Sequence, residues 1–252
     1  MAIVIAVFAA LLVGLAITQI AMFATTVYLH RGITHRALVV HPTLAFACRF
    51  TLWITTGMRP REWAAVHRRH HAATDTPEDP HSPVQLGFWR VQLTNAAMYR
   101  RVARDGETVR KYARDLPPDR LDRFMFDHAG LGLATGVAIL CVGFTLLFGW
   151  WGIVLGLVAA AVHAVGYLGL SGAVNAIGHT IGRRPNDNSA TNGTLLALFT
   201  CGEGLHNNHH DRPTSPRFSR RWSQVDLAWW GIRVHTWCRL VRLRTVRAAQ
   251  TR

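Results

Sequence analysis

The chain has 252 residues, half of them apolar, with 28 Lys and Arg against 14 Asp and Glu and with 14 histidines. A net charge of +14 in a soluble protein would point to nucleic acid, but residues 1–30 and 129–182 carry no charged side chain and every basic residue falls in 31–128 or 183–252. Anionic lipid headgroups or CoA explain that blockwise distribution better than nucleic acid does, and four scattered cysteines without a C-x-x-C remove zinc ribbons and disulfide frameworks.

In chain order, Ile3 to Leu29 is uncharged, has no basic segment before it and is long enough to span a bilayer. Pro42 to Met58 is apolar but short, and Arg49 sits near its middle, where hydrocarbon would be deepest. We read it as a re-entrant or interfacial helix. Residues 59–128 are polar and basic, with helical segments at Glu62–His71 and Asp105–Asp115 and a break at Pro117-Pro118. Two further spans fit residues 131–149 and 152–175, with Gly149-Trp150-Trp151-Gly152 as their turn. The tail becomes amphipathic from about Val225 to Val246. Its Trp222, Trp229, Trp230 and Trp237, mixed with arginines, suit a helix at headgroup level.

The expected fold is an all-α membrane protein forming one domain over residues 1–252. Three transmembrane helices (about 3–29, 131–149 and 152–175) and one re-entrant helix carry a helical cap made of 30–128 and 176–252. Three crossings place both basic blocks on one side, which the positive-inside rule makes the cytoplasm.

The histidines cluster as His30 and His35, as His67, His70 and His71, and as His206, His209 and His210. In a helix, residues i, i+3 and i+4 share a face, so each H-x-x-H-H run can aim three imidazoles at one point. His30 and His35 stand about 140° apart on an ideal helix, so Gly32 is expected to end or bend the helix between them. Asn175 and His179 are again i and i+4 at the end of the last span. Isolated His41, His128, His163 and His235 read as hydrogen-bonded residues. His81, in Asp79-Pro80-His81, reads either as a loop organiser or as a ligand. Two H-x-x-H-H runs beside H-x-x-x-x-H and N-x-x-x-H point to metal. The number of imidazoles exceeds one zinc site and suits two ions.

At this point the sequence resembles the integral-membrane fatty acid desaturases, in particular their acyl-CoA or acyl-lipid delta-9 branch. The residues that carry the resemblance are H30RGITH35, E62WAAVHRRHH71 with D79PHSP83, N175AIGH179 and G202EGLHNNHHD211. It implies two irons bound by His30, His35, His67, His70, His71, His179, His206, His209 and His210, with Asn175 holding a metal-bound water. It also implies a transmembrane stalk, a cytoplasmic cap and a bent acyl tunnel.

The implied activity is O2-dependent insertion of a cis double bond, at delta-9, into a saturated fatty acyl chain carried by CoA, a carrier protein or a lipid. The expected setting is a multi-pass protein of a bacterial plasma membrane. A hydroxylase on the same scaffold would use the same ligands. A metal transporter is disfavoured by spans almost free of ionisable residues. The sequence has no G-x-G-x-x-G, haem motif or paired C-x-x-C, so electrons must come from an external donor such as a ferredoxin or a flavoprotein reductase. Two departures from the family matter. Only about 29 residues precede the first box, which removes one helix that many relatives have, and Ala65-Val66 replaces a polar pair that animal acyl-CoA members place near the CoA. Glu203 and Asp211 are candidates for orienting ligands, with a plain surface role open for Asp211.

Overall fold

The computed structural model describes residues 2–244. Helix α1 (Ala2–Ala24) runs without a break into a π-helical segment, Thr25–Thr34. A short strand β1 (Leu38–Val40) leads to α2 (Pro42–Thr55) and α3 (Pro60–Ala72). Proline at the first helical position starts both helices where a missing N–H costs nothing. The cap continues through α4 (Pro83–Leu86), α5 (Phe88–Ala103) and α6 (Gly106–Tyr112). An apolar hairpin follows, α7 (Ala129–Phe148) and α8 (Gly152–Ala176), closed by Gly149 at φ 69°. Short helices α9 (Thr194–Phe199), α10 (His206–Asp211) and α11 (Leu227–Trp237) precede β2 (Val241–Leu243).

Two helical stretches, Ile3–Thr34 and Ala129–His179, are long and apolar enough to cross a membrane, and the second contains the α7–α8 hairpin. Helices α1 and α8 run parallel. Thr18 lies beside His163, and Thr25 hydrogen-bonds Tyr167 at 2.7 Å. Helix α7 runs against them, with Ala6, Ala10, Phe144, Leu155 and Ala159 forming one apolar cluster. This arrangement brings the ends of α1 and α8, and so His30 and His179, to the same end of the bundle.

Helix α2 does not separate the first histidine cluster from the second, since the rings of His30 and His67 lie 4.4 Å apart. Its C-terminal turn abuts α7 at Gly132 and Gly136, where any Cβ would strike the Trp53 and Ile54 carbonyls. Its last carbonyl, on Thr55, is 2.9 Å from His163 Nε2. Arg49 does not face hydrocarbon alone. It donates to Asp119 at 2.7 Å and to Asp122 at 2.6 Å, and its guanidinium lies over Phe126.

Three expectations need correction. The tail is helical only over Leu227–Trp237; it then turns into β2, which pairs antiparallel with β1, Val39 opposite Arg242. Residues beyond 244 in the expected Val225–Val246 helix lie outside the described residues. Helix α5 had no expectation at all, and the Asp105–Asp115 segment is helical only over Gly106–Tyr112. Nor does the helix end or bend at Gly32; it rewinds.

Gly136→Ala should therefore cost about 1–3 kcal/mol by overpacking, although alanine is the better helix former. Gly143→Ala, with open space around it, should be neutral or stabilising. Thermal midpoints in detergent compare the two.

Candidate metal centre

The nine histidines expected to act together form two adjoining pockets. His30, His35, His67, His71 and His209 make one, and His70, His179, His206 and His210 make the other, with the potential donor atoms of each within 4.8 Å of one another. The two helical H-x-x-H-H runs do not each serve one point. On a helix, i+4 sits about 40° to one side of i and i+3 about 60° to the other. Helix α3 accordingly gives its i, i+4 pair, His67 and His71, to the first pocket and its i+3 residue, His70, to the second. Helix α10 does the reverse: His206 and His210 join the second pocket and His209 the first. The two helices face each other across the pair, with the His71 and His210 rings stacked 4.3 Å apart.

The π-helix explains His30 and His35. An i→i+5 ladder, closed by His35 N–H to the His30 carbonyl at 3.0 Å, brings residues five apart onto one face. Their ring centroids lie 4.9 Å apart.

Neighbouring Nε2 atoms approach at 3.0 Å for His30 and His209, His67 and His71, and His71 and His209. In the second pocket they approach at 3.1 Å for His179 and His206, 3.2 Å for His206 and His210, and 3.4 Å for His70 and His210. Nitrogens about 2.1 Å from a common ion stand roughly 3.0–3.4 Å apart between right-angled and tetrahedral geometry, so the spacing fits ions in both pockets. The Nε2 of His35 is buried without a hydrogen-bond partner, as a lone pair awaiting an ion would be.

Carboxylates set the tautomers. Nδ1 of His30 lies 2.6 Å from Glu203, Nδ1 of His70 lies 2.9 Å from Asp79, and Nδ1 of His179 lies 2.9 Å from Asp75. An N–H at Nδ1 leaves the lone pair on Nε2, which faces the pocket. Burial, reinforced by neighbouring imidazoles, holds His35, His67, His70, His206, His209 and His210 well below the usual imidazole value and His71 at about 3. They are neutral at pH 7, the form that binds metal. Burial pushes Asp75 up, but hydrogen bonds from His179, Ser189 and Ser82 outweigh it and hold the carboxyl at about 2.

Of the two carboxylates singled out in the sequence, Glu203 does contact an imidazole, and Thr26 donates to its other oxygen. Asp211 does not; it pairs with Arg220 at 2.7 Å on the surface. Asp75 and Asp79 were missed. The D-P-H run carried a signal for Asp79, whereas Asp75, eight residues after His67, carried none. His81 is buried against His70 and Asp79, its ring 4.8 Å from that of His70. Asn175 is in neither pocket; its amide donates to Asn95 at 3.0 Å, and its side chain lines the cavity beside His30 and His67. His41 accepts from Thr43 N–H as a helix cap, His163 bridges Thr18 and Thr55, and His235 bonds its own helix.

Replacing Glu203 by Gln should weaken metal binding in the five-imidazole pocket by about 10–100-fold, the usual cost of losing a ligand's orienting partner. Asp211→Asn should leave both pockets unchanged. Metal titration of the stripped protein measures both.

The chain matches the fatty acid desaturase family model over residues 4–234. It is 30% identical over 227 residues to Delta-9 desaturase-like 1 protein of Arabidopsis thaliana, covering 88% of this chain and 72% of that one. It is 31% identical over 217 residues to Acyl-CoA C20 Delta5-desaturase of Anemone leveillei, covering 84% and 66%. It is 30% identical over 232 residues to Delta-9 acyl-lipid desaturase 1 of Arabidopsis thaliana, covering 89% and 71%. The chain thus spans 66–72% of the length of these three relatives. With a helical fold and clustered imidazoles in agreement with those matches, the chain belongs to the fatty acid desaturase family, an all-helical membrane family of oxidoreductases.

Proposed function

We propose that this protein is an O2-dependent fatty acyl desaturase that introduces a cis double bond at delta-9, using two irons and an external electron donor. The observation that carries the reading is a cavity of about 340 Å³ that meets the first metal pocket at His30 and His67. It extends past Met22, Met58 and Tyr167 to Leu133 and Ala164. Ala164 precedes Asn175 by 11 residues, about 16 Å along α8. An extended hydrocarbon fits such a limb, with one internal carbon beside the imidazoles. Arg100, Tyr99 and Asn95 give the cavity a polar side for the carrier end of the acyl chain.

Two bound irons would supply the oxidising power to remove hydrogen from an unactivated methylene. The chain's own contribution is placement. The walls fix which carbon reaches the pockets, and Glu203, Asp79 and Asp75 keep the Nε2 lone pairs aimed. The second pocket has one imidazole fewer than the first. Asn175, four residues before His179 and on the cavity wall, is the side chain we assign to a metal-bound water there. The names of the relatives, delta-9 and delta-5 acyl desaturases, support an acyl substrate on CoA or lipid.

Expression in a desaturase-deficient host should produce a new cis-delta-9 monounsaturated acyl chain, with none from His209→Ala. Hydroxylated acyl chains in its place would favour a hydroxylase on this scaffold, and an unchanged lipid profile would reject both.

We further assign three crossings to a bacterial plasma membrane, with the chain start and the Gly149–Gly152 turn outside and the metal pockets in the cytoplasm. Parallel α1 and α8, antiparallel α7 and the basic residues gathered at the cap support it. An impermeant thiol reagent should label a cysteine introduced at Ala2 from outside and one at Gly106 only after permeabilisation. Labelling of both from one side would contradict the assignment.

A further inference from the structure

The side chain of Asn175 has its nitrogen engaged and its oxygen free. Nδ2 donates to Asn95 Oδ1 at 3.0 Å, and among the described residues no donor reaches Asn175 Oδ1. Both amides line the acyl cavity.

Asn95 belongs to α5, and the contact follows from how α5 meets α8. Gly172 admits the α5 backbone, since a Cβ there would stand 2.5 Å from the Gln92 carbonyl oxygen. The Gln92 side chain also donates to the Gly169 carbonyl at 3.0 Å. Gln92 and Asn95 are i and i+3 on α5, and Gly172 and Asn175 are i and i+3 on α8. Residues at that spacing share a helix face, one turn apart. The close approach at Gly172 therefore brings Asn95 against Asn175 one turn further along both helices. A larger residue at 172 would push the two amides apart.

This hydrogen bond decides which way the Asn175 amide faces. An amide carries an accepting oxygen and a donating nitrogen, and a half-turn of its end exchanges them. Asn95 Oδ1 can only accept, so it selects the orientation in which Asn175 offers its nitrogen to α5 and keeps its oxygen free. A carbonyl oxygen accepts an O–H from water and leaves the lone pairs of that water for a metal. The reversed amide would present N–H instead, which competes with the metal for the same lone pairs.

We propose that Asn95 is the positioning residue for Asn175: by accepting from its amide nitrogen, it keeps the Asn175 oxygen available to the water of the second metal pocket. The proposal rests on the desaturase reading above, which assigns that water to Asn175.

The test uses the oxidised, iron-loaded full chain in nanodiscs. Azide, which displaces metal-bound water, is the probe, and its Kd is read from the azide-to-iron charge-transfer absorption. Azide has no hydrogen to give to an amide oxygen, so the Asn175 oxygen favours water over azide. Asn175→Leu should lower the azide Kd by about three- to ten-fold, the worth of one hydrogen bond. Asn95→Leu alone should lower it by a similar factor. Asn95→Leu added to Asn175→Leu should change it no further, because the effect runs through Asn175. Thr94→Ala, on the exposed side of α5, should leave the Kd unchanged, and iron content should stay at the wild-type level in every variant. An unchanged Kd in Asn95→Leu beside a lowered one in Asn175→Leu would overturn the proposal and leave the water assignment standing. A second drop in the double variant, as general loosening of α5 would give, would also overturn it. An unchanged Kd in Asn175→Leu would instead remove the water assignment, and the proposal with it.

Discussion

A metal-binding nitrogen must stand about 2 Å from its ion, and the rest of this structure answers that constraint. The imidazoles come from the end of α1, from α3, from the end of α8 and from α10, segments separated by up to 180 positions between His30 and His210. Parallel packing of α1 and α8 brings the first and third of these segments to one end of the bundle. Helix α2 stays on that side, so α3 returns to the same place. The apolar hairpin and the cap are therefore the means by which two small pockets are assembled.

Rigidity comes from around the pockets. Arg31, the residue after His30, is fully buried; it pairs with Asp226 at 2.8 Å and stacks on Phe218. Asp226 also accepts from the Phe218 and Trp229 N–H groups. One carboxylate thereby ties the π-helix to the start of α11 and to the segment that covers His209. A buried charge pair is costly to break at one partner. Asn207 and Asn208 do similar work for α10, each bonding to residues of the 186–192 loop. The π-helical winding is less stable than an α-helix of the same residues, and this surrounding network holds it in place.

Much of this was legible in the sequence. Charge-free runs marked the long apolar helices, and Arg49 with Pro42 set α2 apart from them. Histidine spacing named all nine residues that converge. Other features were hidden for physical reasons. An H-x-x-H-H run shows which face its imidazoles share, yet a 100° spread between i+3 and i+4 lets one run serve two ions, and only the opposing helix decides that. H-x-x-x-x-H conflicts with an α-helix, and its resolution as a π-helix depends on packing against α2 and α3. Asp75 and Asp79 contact imidazoles through a loop whose path has no periodicity to read. The β1–β2 pair is three residues per strand, too short to leave a pattern.

The central claim is a pair of pockets with unequal ligand sets, five imidazoles in one and four in the other. Anomalous diffraction at the iron edge from crystals of the iron-loaded protein tests it most directly. The account predicts two peaks, one surrounded by His30, His35, His67, His71 and His209 and the other by His70, His179, His206 and His210. A single peak, or a second ion held by His70, Asp79 and His81 in place of the four-imidazole set, would contradict it.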